Sequence, residues 1–266
     1  MDLQTNSSIL TDLFWLPIGA VLGWLVDRAA AKLLASRKRR QLAFVFPISE
    51  SDHEIPVRCS VIKKIDGQYP STFRAYVHSA EAIAMQNISR EFARCGLHLG
   101  IGGFYAEGAS EDHRNLILLG SDERFNPYCG ELLQDLGTDI RHVPGNGSHK
   151  HFEYRKNSGD PWQELRCDPC QAGEDGTKFT KDYGLIIRKR LTADSNVLMC
   201  AGIHMHGTLA AVQVALDSAF QDEVKKCGFA FFVQVIKVAV RKDGLSLAND
   251  GVSWKDYDLK ELRPRR

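Results

Sequence analysis

The sequence has almost no net charge, because 34 lysines and arginines are balanced by 33 aspartates and glutamates. A net charge of +1 gives no overall attraction to nucleic acid, so no nucleic-acid partner is expected. A disulfide framework is also lacking, since the seven cysteines are an odd number and are spread along the chain. This distribution favours a reducing compartment. What remains is the composition of an ordinary globular protein, 44% hydrophobic and 25% charged.

The amino terminus departs from this composition. Residues 13–26, LFWLPIGAVLGWLV, contain no charged side chain. As a helix they span roughly 21 Å, short of the ~30 Å hydrocarbon core of a bilayer, but flanking apolar residues can lengthen the run. The basic cluster RKRR at residues 37–40 follows, and such clusters are typical of the cytoplasmic side of a membrane. The sequence therefore predicts a single-pass membrane helix within residues 1–40 and a cytoplasmic domain after it.

Two other interpretations of the apolar run stay open. A cleaved signal peptide requires positive charge before the apolar run, whereas the first twelve residues contain Asp2 and Asp12 and no lysine or arginine. The other interpretation is an amphipathic or buried helix that packs on the domain or on a partner.

Two units, each with a strand, a loop and a helix, indicate the fold of the remaining chain. They are residues 115–136, NLILLGSDERFNPYCGELLQDL, and residues 197–216, VLMCAGIHMHGTLAAVQVAL. Between them, residues 152–155 and 162–166 flank the turn residues NSGD and predict an inserted β-hairpin. We expect an α/β fold of Rossmann-like type, with a mixed, mainly parallel sheet and helices on both faces.

Further elements complete the expected order. A helical period indicates a helix over residues 79–95, and apolar runs indicate strands at residues 42–48, 57–65, 182–188 and 230–240, the last of them at an edge. The predicted boundaries are a hydrophobic helix with its basic cluster at residues 1–40, the α/β domain at residues 41–245, and a polar, loosely ordered tail at residues 246–266.

The loop of the second unit, GIHMHGT at residues 202–208, resembles a phosphate-binding loop in spacing. Such a loop requires a lysine after its second glycine, but Thr208 follows Gly207 directly, so a triphosphate hydrolase of the usual type is excluded. The residues still favour an anion-binding turn, with ligand contacts from Gly202, Gly207 and Thr208. His204 and His206 are candidate catalytic acid–base groups at its rim. The alternative is a tight turn whose glycines serve packing.

The loop of the first unit, GSDERFN at residues 120–126, brings polar side chains to a strand end. We predict ligand contacts from Gly120, Ser121 and Asn126, and Asp122 is a third candidate catalytic residue. The alternative is a solvated loop with a helix cap at Asn126. In parallel sheets both loops would lie beyond the carboxyl ends of the strands, where ligands bind.

Other chemistry is not indicated. Cys167 and Cys170 form a CxxC pair, but no second pair is present and the nearby His149 and His151 lack a zinc-finger spacing, so no metal site is predicted. No G-x-S-x-G motif supports a serine hydrolase. Asp182, which precedes an apolar strand, either reaches the ligand region or caps a loop.

The blocks NLILLGS…NP, DYGLIIRK and VLMCAGIHMHGTLAA resemble bacterial Rossmann-like domains of signalling and antiviral conflict systems, over residues 41–240. That resemblance is architectural and transfers no catalytic residue. It implies a domain that senses or processes a nucleotide derivative and is joined to a membrane segment.

The function expected from the sequence is therefore that of a membrane-anchored cytoplasmic domain that binds a nucleotide-like, phosphorylated small molecule. The alternatives are an enzyme acting on a nucleotide or nucleoside, of glycosidase or phosphohydrolase type, and a non-catalytic interaction or envelope-associated domain. The sequence identifies no cofactor, and it leaves the formation of homo-oligomers open.

Overall fold

The structure is a computed structural model of the chain. It describes residues 3–49, 51–59, 61–64, 74–77, 79–101, 115–120, 127–134, 136–144, 151–169, 179–192, 195–240 and 247–262.

Five helices and fourteen strands are present in this part of the chain. The helices are α1 (Leu3–Leu42), α2 (Ser79–Ala93), α3 (Pro127–Gln134), α4 (Met205–Leu216) and α5 (Ser218–Cys227). The strands are β1 (Glu54–Cys59), β2 (Val61–Lys64), β3 (Arg74–Val77), β4 (His98–Ile101), β5 (Asn115–Leu119), β6 (Ile140–Val143), β7 (His151–Tyr154), β8 (Gln163–Leu165), β9 (Asp168–Pro169), β10 (Phe179–Thr192), β11 (Ser195–Gly202), β12 (Phe232–Val240), β13 (Leu247–Ser253) and β14 (Lys260–Glu261).

The main sheet has a parallel half and an antiparallel half. Its strand order is β13-β12-β10-β11-β5-β1-β4, and β9 and β14 pair with β10 and β12. The strands from β4 to β11 are parallel, whereas β10 is antiparallel to both β11 and β12. β2 and β3 form a separate hairpin, and β6, β7 and β8 form a small antiparallel sheet.

Each face of the main sheet carries its own core. On one face, the end of α1 and helices α2, α4 and α5 cover one set of strand side chains, including Ile117, Ile186 and Leu198. On the other face, α3 and the small sheet cover the alternating set, including Leu118 and Met199. Because successive strand side chains point to opposite faces, a sheet covered on both sides has nearly continuous apolar strands. The expected α/β layering, with a mixed sheet and helices on both faces, is confirmed.

Several predicted elements match the structure. α2 covers most of residues 79–95, α3 begins at Pro127 after the predicted cap, and the inserted hairpin appears as β7 and β8. β5 lies between two parallel neighbours, as its short, fully apolar sequence indicates.

Three predicted features were wrong. Residues 42–48 form no strand, because α1 continues to Leu42 and a turn then buries Val45 and Phe46 in the core. Short apolar runs look alike in buried strands and buried helix ends, which explains the error.

β12 is an inner strand, since β13 and β14 pair with it. Those two strands come from the tail that was expected to be loosely ordered.

Helix α1 joins the predicted apolar segment and the basic cluster in one element of 40 residues. Large apolar side chains between Val21 and Leu34 are 49–71% exposed. The basic end contacts the domain, because Arg39 donates hydrogen bonds to the carbonyls of Ser49 and Asp52, and Lys38 lies 3.6 Å from Glu91. Within the described residues, no helix combines the length and the apolarity needed to cross a membrane.

Arg188 of β10 fixes the point where α1 ends. Its Nη1 atom donates to the carbonyls of Ala43 and Phe44, which follow the last helical residue. A cation at a helix carboxyl terminus satisfies free carbonyls and interacts favourably with the helix dipole. Burial lowers the pKa of Arg188 to about 10. The end of α1 is therefore held against the main sheet by a buried guanidinium.

Candidate ligand site at the carboxyl ends of the parallel strands

The two loops singled out in the sequence follow neighbouring strands. β5 and β11 are parallel partners with Leu119 opposite Cys200, and the Gly120 N–H donates to the Cys200 carbonyl at 3.0 Å. Gly120 has φ = 90°, a left-handed conformation that favours glycine. The residues at which the two loops begin, Gly120 and Gly202, therefore lie at the carboxyl ends of neighbouring parallel strands, as expected.

The direction of the chain reverses at this edge between β1 and β5. From β1 the chain passes through β2, β3 and α2 to β4 on one side. From β5 it passes through α3, the small sheet, β9 and β10 before it reaches β11 on the other side. α2 and α3 pack on opposite faces of the sheet. Open α/β sheets bind ligands in the crevice that such a reversal creates at the carboxyl ends of the strands.

The 202–208 turn is packed backbone to backbone against β10. A Cβ atom added at Gly207 would lie 2.1 Å from the Tyr183 carbonyl oxygen, and one added at Gly184 would lie 2.3 Å from the Gly207 oxygen. A Cβ atom added at Gly202 would meet the His204 oxygen at 2.2 Å and the Thr208 nitrogen at 2.3 Å. The glycines therefore allow the first turn of α4 to lie directly on the sheet, which supports the packing interpretation of this motif.

Asp182 occupies the anion position of the turn. Its Oδ2 accepts a hydrogen bond from the Gly207 N–H at 2.6 Å, and its Oδ1 accepts one from the His204 N–H at 3.2 Å. Both N–H groups belong to the amino terminus of α4, where the helix dipole favours a negative charge. The turn binds an anion as its sequence indicates, but the anion is a carboxylate of the chain. Of the two roles open to Asp182, the structure shows the cap.

Two further donors complete the surroundings of Asp182. Its own neighbour Tyr183 donates a backbone N–H to Oδ1 at 2.7 Å, and the Cys167 thiol donates to the same oxygen at 3.0 Å. A carboxylate offers about four lone-pair positions, two on each oxygen, and here Oδ1 accepts from three donors and Oδ2 from one. Asp182 is fully buried. These four donors compensate the lost hydration of its carboxylate.

His206 differs from Asp182 in its hydrogen bonding. Its side chain is 3% exposed, and neither Nδ1 nor Nε2 has a hydrogen-bond partner in the described part of the chain. Most buried polar groups in native proteins are hydrogen-bonded. A buried imidazole without partners is therefore the unusual group of this site, and it is one of the residues that the sequence singled out.

The location of His206 follows from helix geometry. Gln213 and Leu216 on α4 line a shallow groove with Asn87 and Arg90 of α2. His206 precedes Gln213 by seven residues, about two helical turns, so it lies on the same flank of α4. Both helices begin at the carboxyl edge of the parallel strands, because α2 leads back to the start of β4 and α4 follows the end of β11. From this helix geometry we infer that His206 lies on the α2 side of α4, near the start of both helices.

The two histidines do not act as a matched pair. His204 is the N-cap residue of α4 with extended backbone, whereas His206 is already helical. Residues two apart point the same way in a strand, whereas a helix turns about 100° per residue, so the geometry of a strand does not apply to this pair.

Other residues of the predicted site have these positions. Thr208 is buried in the first turn of α4. Ser121, Asp122 and Asn126, with Cys170 and His149, lie outside the described residues. One feature of the sequence accompanies the hydrogen bonds of Asp182 with the turn. Gly184 and Gly202, which are opposite each other in β10 and β11, allow the turn to lie close to β10.

Comparison with known proteins adds no relative. The chain matches no protein-family model, and no curated protein is similar to it in sequence.

Proposed function

We propose that this α/β domain, of Rossmann-like type, binds a nucleotide or a related phosphorylated ligand in the crevice beyond β1, β5 and β11. The reversal of chain direction between β1 and β5 supports this location, since such reversals form ligand crevices in open α/β sheets. The buried and unpaired imidazole of His206 is the observation that carries the proposal. A ligand that hydrogen-bonds to this ring would remove the cost of leaving it without partners.

The proposal moves the ligand away from the backbone groups of the 202–208 turn. Asp182 already accepts from the N–H groups of His204 and Gly207, so a phosphate would compete with a buried carboxylate of the same charge. The loop that starts at Gly120 remains the expected source of phosphate and ribose contacts, with Ser121, Asp122 and Asn126 in the roles that the sequence predicts. His206 would then contact the ligand from the α4 side.

A binding role is favoured over a catalytic one for the described residues. An acid–base pair of His206 with Asp182 is not supported, because neither ring nitrogen of His206 has a hydrogen-bond partner in the described part of the chain, which includes Asp182. A reaction at His206 would therefore need a carboxylate from elsewhere, and Asp122 is the candidate that the sequence offers.

Calorimetric titration of the full chain with nucleotides, dinucleotides and cyclic nucleotides tests the proposal. We expect one ligand to bind and its affinity to fall at least tenfold, about 1.4 kcal/mol, in His206→Leu. His98→Leu is the matched control, because His98 is exposed on β4 and should leave binding unchanged. The absence of binding across the panel at about 1 mM ligand would contradict the proposal.

We also propose that α1 attaches the domain to a membrane. The support is the group of exposed apolar side chains between Val21 and Leu34, including Trp24 and Leu25, which no described part of the domain covers. The single pass expected from the sequence, with the domain in the cytoplasm, remains the arrangement to test, and a helix lying in the membrane interface is its alternative.

Vesicle flotation of the full chain tests this attachment. We expect the chain to float with vesicles and to lose this behaviour when Trp24 and Leu25 are both replaced by serine, because their burial in lipid is lost. Replacement of Gln86 and Ser89, which are exposed on α2, by alanine is the control and should not change flotation. Resistance to alkaline extraction would distinguish a spanning helix from an interfacial one, and failure of the unaltered chain to float would contradict the proposal.

A further inference from the structure

A histidine and two glutamates lie together on the small sheet, on the opposite side of the main sheet from α4. Phe152 and Tyr154 of β7 pack into the core beneath the small sheet. His151 and Glu153 alternate with them along the strand and therefore share its outer face. Glu164 of β8 is directly opposite Glu153 in the antiparallel register. Strand geometry thus brings three potential ligands to one patch.

The three side chains are close enough to share an ion. One ligand atom from each of His151, Glu153 and Glu164 lies within 4.8 Å of the others. Bonds of about 2.1 Å to a tetrahedral ion would place such atoms about 3.5 Å apart, so a small closure is sufficient. His151 is 5% exposed, whereas the side chain of Glu164 is 54% exposed and can rotate toward it.

Two glutamates directly opposite each other repel unless a cation lies nearby. Two arginines partly offset this repulsion. Arg166 Nε lies 2.6 Å from Glu164 Oε2, and Arg141 Nη1 lies 3.9 Å from Glu153 Oε2.

Neither arginine closes the patch to an ion. The pair of Arg166 with Glu164 is exposed, and exposed pairs contribute little because water screens them. Arg141 stacks on the Trp162 ring, with its guanidinium carbon 4.0 Å from the ring centre, which explains its position without the glutamate. A divalent ion would therefore compete with weak interactions.

We propose that His151, Glu153 and Glu164 bind one divalent transition-metal ion, Zn²⁺ by preference, with water completing its coordination. One imidazole and two carboxylates suit Zn²⁺, whereas Mg²⁺ and Ca²⁺ prefer oxygen ligands alone. The ion links β7 to β8 and so holds the small sheet together. The sequence predicted no metal because His151 was considered with Cys167, and the Cys167 thiol contacts Asp182 instead.

Zn²⁺ titration of the chelator-treated full chain tests this site. Isothermal calorimetry should show one equivalent that binds at least about tenfold more weakly in Glu164→Gln. Glu54→Gln, the same change at an exposed glutamate of β1, should bind as the unaltered chain does. Glu164 is preferred to the buried His151 for substitution because its exposure makes a folding defect unexpected.

Two further measurements separate this site from adventitious binding by cysteines. Co²⁺ bound at the proposed site should lack the intense near-ultraviolet absorption of thiolate ligation, and Arg166→Gln should bind Zn²⁺ more tightly because a competing cation is removed. Equal Zn²⁺ binding by Glu164→Gln and the unaltered chain would overturn the proposal. So would the absence of binding at about 100 µM ion, or a thiolate spectrum for the equivalent that Glu164→Gln loses.

Discussion

Two buried polar groups lie on the two sides of the α4 amino terminus, and they are satisfied in opposite ways. Asp182, on the side of β10, accepts hydrogen bonds from three backbone N–H groups and one thiol. His206, in the first turn of the helix, is 3% exposed and has no hydrogen-bond partner for either ring nitrogen among the described residues. Asp182 therefore has four donors, whereas His206 has none in the part of the chain that the structure describes.

The difference separates a structural group from a candidate functional one. A buried carboxylate is tolerated only where donors compensate its lost hydration, and Asp182 meets that condition entirely. A buried imidazole without hydrogen-bond partners loses its hydration and gains no hydrogen bond in exchange, so it lowers the stability of the fold. In the 202–208 turn, the backbone N–H groups of His204 and Gly207 therefore serve the fold, and His206 is the group to which we assign the proposed ligand.

Removing Asp182 should have the largest effect on stability. Asp182→Ala leaves the N–H groups of His204 and Gly207 without their acceptor, and we expect a loss of about 4 kcal/mol in the free energy of unfolding. The control is Asp217→Ala, which removes an exposed helix cap that accepts from the Ala219 N–H at 2.8 Å and should cost about 1 kcal/mol. Urea denaturation measures both, and equal losses would contradict the role assigned to Asp182.

A methyl group at Gly207 should have the next largest effect. Its carbon would lie 2.1 Å from the backbone oxygen of Tyr183, which cannot move without displacing β10, so Gly207→Ala should cost about 3 kcal/mol. Gly159→Ala is the control, because nothing lies within 4 Å of its added carbon. Comparison of the two unfolding midpoints checks the prediction, and a stable Gly207→Ala variant would show that the turn is not packed on the sheet as described.

Two buried cysteines differ in the same way, because the Cys167 thiol donates a hydrogen bond to Asp182 and the Cys200 thiol lies in an apolar core. Cys200→Ser places a hydroxyl in an apolar core where burial raises the thiol pKa to about 12, and it should cost about 2 kcal/mol. Cys167→Ser keeps a donor within reach of Asp182 and should change stability by less than about 0.5 kcal/mol. Urea denaturation curves of the two variants measure both losses. A larger loss of stability for Cys167→Ser than for Cys200→Ser would argue against the hydrogen bond from Cys167.

Replacing His206 should affect the unliganded fold less than replacing Asp182, Gly207 or Cys200. His206→Leu exchanges an unpaired polar ring for an apolar side chain, so stability should stay within about 1 kcal/mol of the original or rise. Thermal unfolding without added ligand measures this. A loss as large as that of Asp182→Ala would mean that His206 is a structural group, and the contrast between the two would disappear.

Much of the fold could be predicted because its signals are local. The apolar run of β5, the cap and proline before α3, and the helical period of α2 each lie within a few residues. The contact of Asp182 with Gly207 is different, because it joins residues 25 positions apart through the register of β10 with β11. The prediction of a strand at residues 42–48 was wrong for another reason. Seven apolar residues are too few for their periodicity to distinguish a strand from the end of a helix.

The sequence predicted where β5 and β11 end but not which group contacts the turn after β11. Glycines and polar residues after apolar strands correctly indicated the edge where β5 and β11 end. The occupant of the turn is decided by charge and distance, and Asp182 is separated from it by most of β10 and β11.

The clamp on α1 has a mechanical consequence. The helix is continuous for 40 residues, about 60 Å, and its last turns are held by Arg188, Arg39 and Lys38. A flexible linker would allow the domain many positions relative to its attachment point. A continuous helix that is fixed to the domain at one end instead keeps the distance between the domain and the far end of the helix constant. Whatever holds the far end of α1 thereby sets the distance and the orientation of the domain, and a tilt of the arm is transmitted to the strand, β10, that carries both Arg188 and Asp182.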